Sequence, residues 1–151
     1  MDGVRHHRRM DRAGDWQRLC ALLDDDEAVW ETVQTALEDG EDPWEALLDG
    51  LDEAGALAFL RSDDTGMELS DALAQLPRVF ALQPDLDDVT DTDDLGEATT
   101  AADRVLAKDE LRIVRLIEED DAWPVAVVPG DHTRELASLA TALGYEVVVG
   151  G

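Results

Sequence analysis

Outside its first ten residues the chain holds one histidine, His132, and it stands in the turn Pro129-Gly130-Asp131-His132 of "PVAVVPGDHTRELASLATALGYEVVVG". An imidazole beside a carboxylate can serve as a general base or a metal ligand. The apolar run before the turn reads as a strand and the pattern after it as a helix, and free N–H groups at such a helix start could hold a phosphate. The residue types oppose that use. Only one glycine is present, Asp131 is placed to cap the helix and repel an anion, and Arg134 is the sole close cation. The turn therefore reads first as a structural joint.

A second set of reactive types follows the run "ALAFL" at 56–60, in Arg61, Asp63 and Asp64. If that run is a strand parallel to "PVAVV", these residues meet Asp131 and His132 at the carboxyl ends of the strands, where ligands of open parallel sheets bind. Such a rim would suit acid–base or metal-assisted hydrolysis, with His132 as base or ligand and Asp63 and Asp64 as oxygen ligands. Spacing alone does not bring them together, so the enzyme stands as the alternative reading.

Other candidates are weaker. In the acidic stretch "PDLDDVTDTDD", Asp91, Asp93 and Gly96 fit the calcium-loop pattern of an EF-hand, but Leu95 and Ala102 occupy ligand positions and reject it. His6 and His7 lie in a basic leader, 1–14, read as flexible and without convergent ligands. Cys20 is the only cysteine, which excludes an internal disulfide, and its place on an apolar helical face reads as packing. No cofactor or metal is expected.

The elements that must position these residues are legible from caps and periodicity. Asp15 is placed to cap a helix with Trp16, Leu19, Cys20 and Leu23 inward. Asp26 is placed to cap a second, with Val29, Trp30, Val33, Ala36 and Leu37, stopped by Gly40. Asp42, Pro43 and Glu45 open a third, which carries Trp44, Leu47, Leu48, Leu51 and Ala54 and ends at Gly55. Tryptophans 16, 30 and 44 fall fourteen apart and read as core positions of three consecutive helices, with an aromatic groove as the other possibility. Beyond "ALAFL", a helix with Leu69, Ala72, Leu73 and Leu76 ends at Pro77, "VFAL" reads as extended, and 84–94 reads as an exposed loop. A further helix carries Leu95, Ala98, Ala102, Val105 and Leu106. "LRIVRLIE" and "WPVAVV" then form a hairpin, with Pro124 at an edge or a strand start. The last segment is a helix with Leu136, Leu139, Ala140 and Leu143, stopped by Gly144, and the strand "YEVVV". A right-handed parallel crossover between the flanking strands is expected. Residues 15–151 thus read as one α+β domain, with N-terminal helices on a small mixed sheet that ends in a hairpin and a βαβ-like crossover.

Twelve basic against 37 acidic residues give a net charge of −25. Such a field repels nucleic acid and anionic membrane and attracts basic proteins. Salt adaptation or a GC-rich genome would also produce the excess of Asp and the single lysine. Neither a membrane span nor a signal peptide is readable, so a cytoplasmic protein is expected.

Taken in order, "LCALLDDDEAVWETVQTALEDGEDPWEALLDGLDEAGALAFLRSDD", the "ALAQLP" helix, "LRIVRLIEEDDAWPVAVVP" and "TRELASLATALGYEV" resemble a bacterial family of domains of unknown function, number 6630, over roughly residues 18–148. The resemblance implies an α+β domain and supplies no activity or site residues. The preferred functional reading is a non-enzymatic module that binds a basic protein, in the manner of acidic inhibitors or immunity proteins.

Overall fold

The computed structural model describes the backbone of residues 2–118 and 121–150 and the side chains of 13–118 and 121–150, so the expectations placed on His6 and His7 lie outside the described side chains. The first helix, α1, runs from Asp2 to Leu23. Asp15 is therefore interior and not at the helix start, since the backbone helix continues back through the segment read as a leader. α2 (Glu27–Asp39) and α3 (Pro43–Glu53) start at Asp26 and Asp42, whose carboxylates accept from the N–H of Ala28 and Trp44. α3 ends as the sequence predicts: Gly55, at φ +72°, turns the chain so that Ala56 N–H reaches Leu51 O at 2.8 Å, closing the carbonyls of the last turn.

β1 (Ala58–Arg61) is followed by α4 (Gly66–Ala74), α5 (Pro77–Leu82) and α6 (Asp87–Thr90). Two expectations change here. "VFAL" is helical, because Pro77 takes the first position of α5 and Leu76 O accepts from Phe80 N–H at 2.8 Å. The stretch 84–94 is anchored through α6, whose Val89 is fully buried. α7 (Leu95–Ala107), capped by Asp94, leads into the hairpin of β2 (Leu111–Leu116) and β3 (Ala122–Pro129), and the chain ends in α8 (Thr133–Ala142) and β4 (Val147–Val149).

The strands lie in the order β1-β3-β2-β4, and each neighbouring pair is antiparallel. This corrects the mixed sheet. β3 and β4 do point the same way across the α8 crossover, but the hairpin strand β2 lies between them and pairs with both. Pro124 sits third in an inner strand, opposite Phe59 of β1, at a level beyond the last β2 pair, Arg115–Val125, so its missing N–H breaks no ladder bond.

Alternation along the sheet divides the core in two. Val114, Leu116, Ala126 and Val128 face α1, α2, α3 and α8, whereas Ile113, Val125 and Val127, with Ala58 and Leu60, face α4 to α7. Both faces are covered, so the α+β domain has three layers.

Candidate functional site

His132 closes a short 3-10 turn, Gly130–His132, ahead of α8. Its Nδ1 lies 3.1 Å from Leu22 O, and because a carbonyl can only accept, Nδ1 carries the hydrogen. Nε2 lies 3.9 Å from Asp131 Oδ1. Asp131 does not cap α8: its side chain is 87% exposed, and the turn is instead closed by the Thr133 hydroxyl donating to Gly130 O at 2.9 Å. Arg134 is exposed. One residue beyond Leu22, Leu23 O accepts from Arg78 Nη1 at 3.2 Å, and the same nitrogen donates to Val127 O at 2.7 Å. His132 and Arg78 thus hold the carboxyl end of α1, the negative end of its dipole, against β3 and the start of α8.

The rim of the enzyme reading is not assembled. β1 runs antiparallel to β3, with Arg61, the last residue of β1, opposite Ala122, so Arg61, Asp63 and Asp64 lie beside the start of β3. Asp131 and His132 follow its other end. Seven residue steps at ~3.4 Å place the two groups about 24 Å apart along the strand. Asp64 is engaged locally: its carboxylate accepts from Arg61 N–H at 2.9 Å, and its own N–H donates to Arg61 O at 3.0 Å.

Carboxylates line a groove of about 740 Å³ between α2 and α3. Glu41, Asp42, Glu45, Asp49 and Glu53 border it, with Thr32 and Thr35 opposite. The helices come close because Gly50 packs on Val29, where an added Cβ would meet Val29 Cα at 3.2 Å. Residues 19–60 hold 13 acidic residues and no basic one, so no cation of this stretch neutralises the groove. A second groove, between α1 and α2, is bordered by Asp24, Asp25, Asp26, Glu27 and Glu31 around the half-buried Trp30.

An aromatic cluster underlies this layer. Trp44 and Tyr145 stack with centroids 4.7 Å apart and planes within 5°, and Trp16 meets Tyr145 edge-on at 5.5 Å. Trp44 Nε1 donates to Ile117 O at 3.0 Å, and Tyr145 OH donates to Asp42 at 3.2 Å. Burial first, and then the Asp42 carboxylate, pushes the Tyr145 phenol above its ordinary value. Trp16 and Trp44 are 3% exposed, which makes them core and not groove lining. Cys20 is buried beside them, and desolvation pushes its thiol up to about 12. Among the described residues no group of three or more His, Cys, Asp or Glu side chains could hold a metal ion.

One polar pair escaped the sequence reading. Asp103, buried on α7, accepts from Arg112 Nε at 2.9 Å and from Ile113 N–H at 2.9 Å, while Gly150 N–H donates to Ile113 O at 2.8 Å. Together they satisfy the edge of β2 where β4 stops, and the Asp103 hydrogen bond holds Arg112 more firmly protonated than usual. The signal was present: Asp103 lies four residues beyond Thr99 and eight beyond Leu95 on the inward stripe, where an uncompensated acid would be costly.

Compared with known proteins, residues 15–150 match the family described as Domain of unknown function (DUF6630), and the chain belongs to it. Neither the curated proteins nor the solved structures contain a match. No helix among the described residues is long and apolar enough to cross a membrane.

Proposed function

We propose that this member of the family is a non-enzymatic, cytoplasmic binding module whose α2–α3 groove receives a basic segment of another protein, as inhibitors and immunity proteins receive their targets. The observation that carries this reading is the groove itself, bordered by five carboxylates in a stretch of chain without a basic residue. Carboxylates without a salt-bridge partner among the described residues suit long-range attraction of a cationic surface, which raises the association rate more than it lengthens the complex's life. Thr32, Thr35, Ala36 and Ala46 add small, mildly polar or apolar lining, fit for the aliphatic stems of arginine or lysine.

The test is calorimetric titration with an arginine-rich peptide at rising chloride, on the wild type and on the E45Q/D49N/E53Q variant. Binding to the wild type should weaken steadily with salt, and the variant should bind about tenfold more weakly at low salt, equivalent to ~1.4 kcal/mol. Equal binding by the two proteins would remove the groove from the account.

A further inference from the structure

β1 is an outer strand, paired only with β3, and outer strands offer unpaired N–H and C=O groups to any strand that approaches. Two hydrogen bonds fix which groups face outward. Ser62 N–H points inward to Asp121 O at 2.9 Å, whereas Arg61 N–H points outward to the Asp64 carboxylate at 2.9 Å. Phe59, two residues before Arg61, therefore also directs its N–H and C=O to the open side. Asp64 meets both outward groups of Arg61, taking the N–H with its carboxylate and giving its own N–H to the carbonyl at 3.0 Å. A residue of an adjoining antiparallel strand would make the same two bonds.

We infer that Asp64 is a built-in stand-in for an edge partner, closing β1 against the β1 strand of a second copy of this chain. A second copy is the occupant to guard against because an antiparallel strand is its own complement about a two-fold axis. Charge opposes such an approach only weakly along the chain that continues from β1, since residues 61–83 hold four acidic residues against two basic ones. Phe59, 55% exposed beside the open edge, supplies apolar surface that such a pairing would bury. Within β1, Asp64 leaves only the Phe59 position open, too short a ladder to hold two copies together. The inference does not depend on the acidic groove.

The experiment is molar mass by light scattering over a wide concentration range for the wild type, D64A, D64N and D64A/F59K. D64N keeps an oxygen that accepts from Arg61 N–H and should hold the wild-type mass. D64A should shift with concentration to twice that mass, with slower hydrogen exchange at the Phe59 amide, and adding F59K should return it to the wild-type mass. Should D64A not fold, D64S, whose hydroxyl is too short to make the bond, gives the same readout. D64A at the wild-type mass throughout overturns the inference. So does D64N associating like D64A, since that assigns the effect to lost charge.

Discussion

The α2–α3 pair and the β1–α4–α5 segment are neighbours in sequence and opposites at their surfaces. The first has ten carboxylates and no basic residue over residues 27–53, and most of its large apolar side chains are turned inward around stacked rings. The second carries little net charge and exposes Met67, Phe80 and Leu82, with Phe59 just before them. A composition bias acting alone would charge both surfaces alike. The difference shows that acidity is not uniform over this fold.

The comparison can be broken by attacking each region's support. The largest effect should come from Trp44→Ala, which empties the stacked core under the acidic helices and should cost about 4 kcal/mol in urea unfolding. A loss below 1 kcal/mol would mean the aromatic stack does not hold that layer. In the second region Gly66→Ala drives a Cβ to 1.8 Å from Val89 O and 2.5 Å from Thr92 O. Backbone must move, and a loss of about 3 kcal/mol is expected. Asp103→Ala leaves Ile113 N–H and Arg112 without their shared acceptor and should cost about 2 kcal/mol, less than either core change because Arg112 reaches water.

Salt sharpens the contrast. Screening reduces the self-repulsion of a −25 chain, so the melting temperature should rise with added chloride. E45Q/D49N/E53Q should start higher by about 3 °C at low salt, for ~1 kcal/mol gained, and respond less. A wild-type melting temperature that is flat or falling with chloride contradicts the repulsion argument. The smallest effect concerns Arg18, which binds Glu135 through Nε at 2.7 Å and Nη2 at 2.9 Å and holds that exposed carboxyl below its ordinary value of 4.5. A carboxyl lowered in the folded state stabilises above its unfolded value and ceases to do so as pH falls through its folded value. The stability difference between wild type and E135Q should therefore be small and constant near neutrality and shrink below pH 4.5.

Much of the fold was legible because caps and stops are local. Asp26, Asp42, Gly40, Gly55 and Gly144 mark helix ends through groups within a few residues, and the hairpin of β2 and β3 follows from two apolar runs and a short turn. Strand order is not local. The sequence pattern allows β1 to run either way beside β3, and the antiparallel choice separates Asp63 and Asp64 from His132 and dissolves the proposed rim. In the same way "VFAL" suits either state as a peptide, and packing of Val79 in the second core decides for helix. The acidic groove was legible as charge but not as shape, since it needs two helices brought together at Gly50.

The most direct test is an amide chemical-shift map of the protein titrated with an arginine-rich peptide. Perturbations should centre on Thr32, Thr35 and residues 41–53 and fade as chloride is added. Perturbations centred on residues 61–83, on the acidic stretch 84–97 or around His132, or none at all, would contradict the assignment of the α2–α3 groove as the working surface.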